Sequence, residues 1–243
     1  MGQSVKSEIK IATSTPNEEI AGLSKKYGIP VYVNEGDHGI TQDWNFALSL
    51  VSTKYATIAH QDDVYEKEYT EVMLRIVKLS KKPLICFTDY GEIREGVKTE
   101  RTALLRIKRM MLFPLRNKRM WSSRFARRAA LAFGNPVCCP SVMYALNNLE
   151  RPVFRNYFRC NEDWEAWEKL SRFEGDFVYL PKILMYHRIH GESTTTEVIE
   201  NGKRITEDYE MFRKFWPKQV AGFLCEIYKR SERFNQLTGN DKT

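Results

Sequence analysis

Two adjacent carboxylates are the first residues of this sequence whose type and position suggest chemistry. Asp62 and Asp63 directly follow a short apolar run at residues 55–59, which is rich in strand-forming residues. Ligands of open α/β sheets collect beyond the carboxyl ends of such strands, and paired carboxylates there suit a divalent cation that bridges nucleotide phosphates. The alternative is helix capping, because aspartate accepts hydrogen bonds from the N–H groups of a first helical turn.

A second acidic pair, Glu162 and Asp163, opens a predicted helix that carries two tryptophans on one face. A carboxylate on such a rigid element could act as a general base that takes a proton from an attacking hydroxyl, a role that supplies about 10²–10⁴-fold in rate. Acidic residues in a first helical turn also complement the helix dipole, so the sequence leaves a structural role open.

Arginine and histidine side chains cluster in a third place, the end of a predicted strand near residue 187. Side chains alternate between the two faces of a strand, so Arg188 and His190 could point together at a phosphate or a metal. A histidine on a strand can equally be structural. Cys138 and Cys139 lack partners at metal-ligand spacing, which favours core packing for them.

The hydrophobic pattern predicts the elements that must position these residues. Short apolar runs alternate with segments of helical periodicity, which predicts parallel βαβ units with helices on both faces of the sheet. Two later runs, 177–180 and 183–187, are predicted to be separate strands joined by a tight turn at Pro181 and Lys182. The earlier runs lie at residues 8–13, 30–33, 55–59 and 84–87.

The chain has a formal net charge of +7, and the excess is concentrated in residues 101–131, the basic segment. This segment holds ten of the 38 lysine and arginine residues and no acidic one, which leaves 28 basic against 31 acidic residues elsewhere. Its second half places Trp121 and Phe125 on one apolar stripe and turns Arg124 and Arg127 away, which predicts an amphipathic helix.

Two interpretations of the basic segment remain open. A basic amphipathic segment fits an anionic membrane surface, where each basic residue contributes about 1 kcal/mol. Alternatively, the segment forms solvated helices that pack on the sheet through Leu104, Ile107, Trp121 and Phe125. No nucleic-acid partner is expected, because no helix-turn-helix, RNA-recognition or zinc pattern accompanies the charge.

Length and composition set the class of protein. The 243 residues, 42% of them hydrophobic, suit an α/β domain with a sizeable core and exclude collagen-like, disordered and disulfide-rich small proteins. Five cysteines without CxxC spacing indicate reduced thiols. Neither a run of about 18 apolar residues nor a signal-peptide core is present. We therefore expect a cytoplasmic protein that could bind peripherally to the inner face of the membrane.

Four blocks of sequence together resemble family-2 glycosyltransferases, which have the GT-A fold. Their order and spacing match that family over roughly residues 8–195. The first block consists of NEG at 34–36, GI at 39–40 and DWNFA at 43–47. The other three are YATIAHQDDVY at 55–65, NEDWEAW at 161–167 and YHRIHGES at 186–193.

The resemblance implies an α/β, nucleotide-sugar-binding fold with a mostly parallel central sheet flanked by helices. In this organisation residues 1–200 form the GT-A-like domain, and residues 101–133 form a basic helical insert on the acceptor side. Residues 201–243 form a C-terminal helical extension.

The resemblance also implies a metal site. Asp62 corresponds to the last aspartate of the family's DxD motif and would bind a metal–diphosphate, with Asp63 in support. His190 would lie near the metal or the diphosphate. The metal would be Mn²⁺ or Mg²⁺. His60 stands where many relatives carry the first acid of the motif.

The activity implied is inverting transfer of a sugar from a nucleotide-diphosphate sugar to a hydroxyl acceptor. Asp163 would be the catalytic base, and Asn45 and Arg188 would contact the donor, a UDP-sugar. The acceptor would be a glycan or a lipid-linked glycan in cell-surface polysaccharide or glycolipid synthesis.

Relatives begin with an apolar strand and a helix before the strand that resembles residues 8–13, and the sequence predicts that this chain lacks both. A catalytically impaired, truncated glycosyltransferase remnant is therefore the alternative to an active enzyme. A less favoured alternative is a basic nucleic-acid-binding protein.

Overall fold

A computed structural model describes residues 2–189 and 203–240, with side chains at 2–189 and 204–229. Within these residues strands alternate with helices over the first half of the chain. The strands are β1 (Ile11–Thr13), β2 (Val31–Val33), β3 (Tyr55–Thr57), β4 (Val64–Tyr65), β5 (Pro83–Arg94), β6 (Val97–Thr99), β7 (Val142–Ala145) and β8 (Asp176–Ile189). The α-helices are α1 (Glu18–Tyr27), α2 (Ile40–Ser49), α3 (Tyr69–Val77), α4 (Ala103–Met111), α5 (Arg124–Leu131), α6 (Glu162–Ser171), α7 (Lys203–Arg213) and α8 (Lys218–Asn240).

The strands form two sheets. β1 and β2 pair in parallel across α1, as a βαβ unit requires. The larger sheet has the order β3-β7-β5-β8-β4, with β6 paired to β5 as a hairpin. β5 and β8 are parallel, whereas β7 is antiparallel to β3 and β5, and β4 is antiparallel to β8.

The larger sheet is therefore mixed, and the prediction of a mostly parallel central sheet is wrong. The fully buried strand β7 lies between β3 and β5 and runs against both. An apolar run indicates that a strand is buried but does not fix its direction. The α/β class itself is confirmed by the alternation of strands and helices.

β8 is one continuous strand rather than the two strands and tight turn predicted around Pro181. Along its pairing with β5, Leu180 is opposite Thr88 and Ile183 is opposite Asp89, so Pro181 and Lys182 form a bulge. A bulge tolerates proline because its residues do not need to donate to the ladder. The strand consequently continues to Ile189, at the border of the described residues.

The core lies where the larger sheet packs against α6 and the C-terminal helices. Trp164 and Trp167 of α6 are fully buried. The Trp167 ring stacks 6.0 Å from that of Tyr144 on β7, and the Trp164 ring lies 5.2 Å from that of Phe212 on α7. Burial of each such large side chain stabilises the fold by about 1.5–3 kcal/mol. No helix in residues 2–189 and 203–240 combines the length and hydrophobicity needed to cross a bilayer.

The basic segment folds as α4, two 3₁₀ turns (Phe113–Arg116 and Lys118–Met120) and α5. Its orientation differs from the amphipathic prediction. Arg127, expected to face solvent, is 0% exposed, whereas Phe125, expected on the apolar stripe, is 82% exposed.

Arg127 can be buried because backbone carbonyls accept hydrogen bonds from both terminal nitrogens of its guanidinium. Its N–H groups donate to the carbonyl oxygens of Gly175 at 2.8 Å and Phe173 at 2.9 Å, and the group lies 5.4 Å from the ring centre of Phe177. Burial lowers the pKa of Arg127.

Of the four residues predicted to pack the basic segment on the sheet, only Trp121 is buried. Trp121 is buried, but Ile107 and Phe125 are exposed and Leu104 is half-buried. Besides Trp121 and Leu131, the buried apolar side chains of the segment are three leucines and two alanines. These are Leu105, Leu112, Leu115, Ala126 and Ala130.

Candidate functional site

The loop of residues 60–63, which reads His-Gln-Asp-Asp, connects β3 to β4. Because β4 pairs antiparallel with β8, with Val64 opposite Tyr186, this loop lies beside the end of β8. The topology therefore brings together two of the sequence blocks that suggested chemistry. We call residues 60–63 the HQDD loop.

Asp63 connects the HQDD loop to β8. Its Oδ1 accepts a hydrogen bond from the backbone N–H of Arg188 at 3.0 Å and lies 2.9 Å from Nδ1 of His187. The side chain of Asp63 is fully buried. Its Oδ2 lies 3.8 Å from Nδ1 of His60 and has no hydrogen-bond partner in the part of the chain that the structure describes. Asp63 therefore holds the loop in place.

Arg188 also contacts Asp62. The guanidinium Nε donates to the carbonyl oxygen of Asp62 at 2.9 Å, so the arginine is fixed next to the acidic loop. Its contact with a phosphate stays a prediction. His190, the other residue predicted there, lies outside the described residues. His187 was not singled out as a site residue, because strand alternation placed it on the opposite face from Arg188.

His60 is packed into the same loop. Its ring stacks on that of Trp44, with 5.4 Å between ring centres and 18° between planes. Burial lowers the pKa of His60, while the charge of Asp63 opposes that shift. Its Nε2 is buried and has no hydrogen-bond partner among the described residues.

Helix α2 joins the small sheet to this site. Asp43 accepts hydrogen bonds from Ser14 Oγ at 2.7 Å and Asn34 Nδ2 at 2.8 Å, which links the ends of β1 and β2 to α2. Asn45 makes two hydrogen bonds with the backbone of Phe154, one through Nδ2 and one through Oδ1. Asn45 thus anchors the segment before α6, and its contact with a donor stays a prediction.

Asp163 lies in the first turn of α6, and both of its oxygens are held. Oδ2 accepts from Nδ2 of Asn135 at 2.7 Å, and Oδ1 accepts from the backbone N–H of Trp164 at 2.7 Å. Asn135 is itself fixed, because its Oδ1 accepts from the N–H of Val137. Sequence reasoning missed Asn135, since a loop asparagine gives no signal of a contact 28 residues away.

The acidic pair at the start of α6 titrates at raised pKa values. Burial raises the pKa of Asp163, and the hydrogen bond from Asn135 partly opposes it. Burial also raises the pKa of Glu162 to about 7, with a further contribution from the neighbouring charge of Asp163. Carboxylates with raised pKa values are better proton acceptors, which is what a general base requires.

The segment around Cys138 lies between the two acidic sites. Burial, followed by the negative charges of Asp63 and then Asp163, raises the pKa of the Cys138 thiol well above its ordinary value. The hydroxyl of Tyr65 on β4 donates to the carbonyl oxygen of Pro140 at 2.6 Å, which ties this segment to the HQDD loop side. Both carboxylates therefore border one region of the molecule.

Among the residues that the structure describes, the arrangement suits a metal shared with a ligand better than a metal held by protein side chains alone. The described residues contain no group of three or more His, Cys, Asp or Glu side chains placed to hold an ion. Oδ1 of Asp63 already contacts His187 and Arg188. Asp62 on the same loop is half-buried. Mg²⁺ in nucleotide enzymes takes one or two carboxylates and completes its shell with phosphate oxygens and water.

Comparison with known proteins identifies a similar fold but no sequence relative. No family model matches the sequence, and no curated protein matches it. Crystal structures of S. aureus TarS 1–349 resemble the chain with TM-scores of 0.56 for the protein itself, 0.58 for its complex with UDP-GlcNAc and 0.52 for its complex with UDP. The identities are 11%, 12% and 14%, respectively.

The similarity to TarS 1–349 covers 92% of this chain and 62–64% of the TarS chain. The chain thus spans less than two thirds of the structures that it resembles. At this level of identity the likeness concerns the fold alone. This chain has an α/β fold similar to that of TarS 1–349.

Proposed function

We propose that this protein is a GT-A-type glycosyltransferase that moves a sugar from a nucleoside-diphosphate sugar to a hydroxyl acceptor with inversion. The observation that carries the proposal is the attachment of Arg188 to the HQDD loop through Asp62 and Asp63. A guanidinium fixed to the backbone of an acidic loop at the end of a strand suits a diphosphate and its cation. The similarity in fold to a protein crystallised with UDP-GlcNAc and UDP supports a UDP-sugar as the donor.

Asp163 is the base in this proposal. It takes the proton of the acceptor hydroxyl, whose oxygen attacks the anomeric carbon from the face opposite the diphosphate. The bond between that carbon and the diphosphate oxygen breaks, and the electron pair leaves with the diphosphate. Asn135 keeps the carboxylate oriented, because it donates to one of its two oxygens.

Arg188 and Asp62 act on the leaving group. A bound Mn²⁺ or Mg²⁺ would neutralise charge that develops on the diphosphate, and Asp62 would hold that ion. The Arg188 guanidinium adds a positive charge beside it. His190 keeps its predicted place near the diphosphate, and the acceptor is a glycan or a lipid-linked glycan of cell-surface polysaccharide or glycolipid synthesis.

Donor binding tests the first half of the proposal. A ligand present at about 100 times its Kd stabilises the folded state by about 2.7 kcal/mol, which for a chain of this size raises the Tm by roughly 5–11 °C. Thermal unfolding is therefore measured with a panel of nucleotide-sugars and with UDP, each with and without Mn²⁺. The absence of a rise in Tm with every nucleotide would overturn the proposal.

Transfer tests the second half. Release of UDP from the stabilising donor is measured for the wild-type chain and for Asp163→Asn. We expect the variant to lose about 10²–10⁴-fold in rate while it keeps the donor-induced rise in Tm. Glu174→Gln, at an acid whose side chain is 81% exposed, is the matched control and should retain full activity. Donor binding without turnover in the wild type would instead favour the catalytically impaired remnant.

A further inference from the structure

The solvent-facing side of α4 is apolar where a surface helix is ordinarily polar. Ile107 is 49% exposed and Met110 is 68% exposed, and Phe113 in the following 3₁₀ turn is 68% exposed. The inner side of the same helix is filled by Leu105 and Leu112, which are buried. We use the name outer face of α4 for six exposed residues of α4 and of the two 3₁₀ turns that follow it, namely Arg106, Ile107, Met110, Phe113, Lys118 and Arg119.

The outer face has helical spacing. Ala103, Arg106, Ile107 and Met110 are the exposed residues of α4, and their positions at i, i+3, i+4 and i+7 place them along one side of the helix. Phe113 follows three residues after Met110. The exposed apolar side chains therefore form a run along one side of the basic segment, which distinguishes them from scattered surface hydrophobic residues.

The basic residues of the segment divide into two sets. Lys108 and Arg109 point inward, where Lys108 donates to the Tyr90 hydroxyl at 2.8 Å and Arg109 donates to the Tyr90 carbonyl at 3.0 Å. Six basic residues of the segment are exposed, and we call Arg106, Lys118 and Arg119 the outer set. The other three are Arg101, Arg116 and Arg124. No salt bridge to an acidic residue of the described chain engages the outer set, and residues 101–131 contain no acid that could neutralise it.

We propose that the outer face of α4 binds the surface of a bilayer that contains anionic lipids. Apolar side chains flanked by lysine and arginine are the composition of helices that lie in the membrane interface, with the apolar groups among the acyl chains and the charges at the headgroups. The positive charge selects an anionic surface. A soluble polyanion would account for the charges but would give Ile107, Met110 and Phe113 nothing to bury against.

Co-sedimentation of the full chain with vesicles tests this surface. We expect binding to vesicles of phosphatidylcholine mixed with phosphatidylglycerol and much weaker binding to phosphatidylcholine alone. Met110→Ser combined with Phe113→Ser should weaken binding to the anionic vesicles by about tenfold or more. Lys118→Ser combined with Arg119→Ser should weaken it by about fivefold for each charge removed.

Phe223→Ser is the matched control, because Phe223 on α8 is 67% exposed and lies outside the basic segment. It should leave vesicle binding unchanged, and all variants should keep the wild-type Tm because the altered side chains are exposed. Retention on heparin, a soluble polyanion, is measured in parallel and should not respond to the Met110 and Phe113 changes. The proposal fails if the anionic vesicles are not bound, or if the Met110 and Phe113 variant binds them as tightly as wild type.

Discussion

His187 and Asp63 are 124 residues apart in the sequence, and Nδ1 of His187 lies 2.9 Å from Oδ1 of Asp63. The contact arises because β4 pairs with β8, which places the HQDD loop beside the last residues of β8. The Asp63 side chain is fully buried, and a buried carboxylate without partners would cost several kcal/mol. The pair therefore fixes the acidic loop to the strand that carries Arg188.

Replacement of the Asp63 carboxylate should destabilise the fold. In Asp63→Ala, the backbone N–H of Arg188 and Nδ1 of His187 both lose the oxygen that they contact. We expect the free energy of unfolding to fall by about 1–3 kcal/mol, which lowers the Tm by roughly 2–4 °C for each kcal/mol. Thermal unfolding followed by circular dichroism measures the change.

Asp62→Ala is the control for Asp63→Ala. Arg188 contacts the backbone carbonyl of Asp62, which the substitution leaves in place, so the loss in Tm should be smaller. The same variant should lose the stabilisation that the donor and Mn²⁺ provide. Equal losses of Tm in the two variants would contradict the anchoring role of Asp63.

Asn135→Ala should shift the pH dependence of transfer. The hydrogen bond from Asn135 stabilises the ionised form of Asp163 and lowers its pKa, so its removal raises that pKa further. A base must be deprotonated to act, and the acidic limb of the profile of kcat/KM against pH therefore moves to higher pH. Asn117→Ala, at an exposed asparagine in the basic segment, should leave the limb in place, and an unmoved limb in Asn135→Ala would argue against Asp163 as the base.

Glu162 should make the protein less stable as the pH rises. Its pKa is raised to about 7 by burial from an ordinary value of 4.5, so the folded state holds a proton that the unfolded state releases in this interval. The contribution of protonated Glu162 to the free energy of unfolding is fully present below about pH 4.5 and is lost as the pH rises to about 7. The loss is on the order of 3 kcal/mol, at 1.36 kcal/mol for each pKa unit.

Glu162→Gln removes this titration because the amide stays neutral. The Tm of the variant relative to wild type should therefore increase between about pH 4.5 and 7 and stay constant above that range. Glu174→Gln, at an exposed side chain, should show no such trend. A difference in Tm that does not depend on pH would contradict the raised pKa of Glu162.

The sequence was sufficient to predict the parts of the site that depend on local pattern. Asp62 and Asp63 follow a strand as the apolar run indicates, Asp163 opens a helix, and Arg188 reaches the acidic loop. The first two relations follow from a strand end and a helix start, which residue types signal locally. The small parallel sheet of β1 and β2 was predictable for the same reason. The contact of Arg188 with the acidic loop depends in addition on the pairing of β4 with β8.

The remaining features depend on tertiary contacts that local pattern does not contain. The direction of β7 depends on its neighbours β3 and β5, and the continuity of β8 depends on a bulge that accommodates Pro181. The contact of Asn135 with Asp163 exists only once the loop and α6 are packed together.

Arg127 is the clearest case in which packing overrides residue type, and its replacement should be costly. Arg127→Ala leaves the carbonyl oxygens of Gly175 and Phe173 without these donors and opens a cavity beneath α5. We expect the free energy of unfolding, measured by urea titration, to fall by at least about 2 kcal/mol. Arg124→Ala and Phe125→Ser, at exposed positions of the same helix, should change it by no more than about 0.5 kcal/mol. If Phe125→Ser were instead the more damaging change, the result would contradict the burial of Arg127 and support the amphipathic orientation that the sequence pattern predicts for α5.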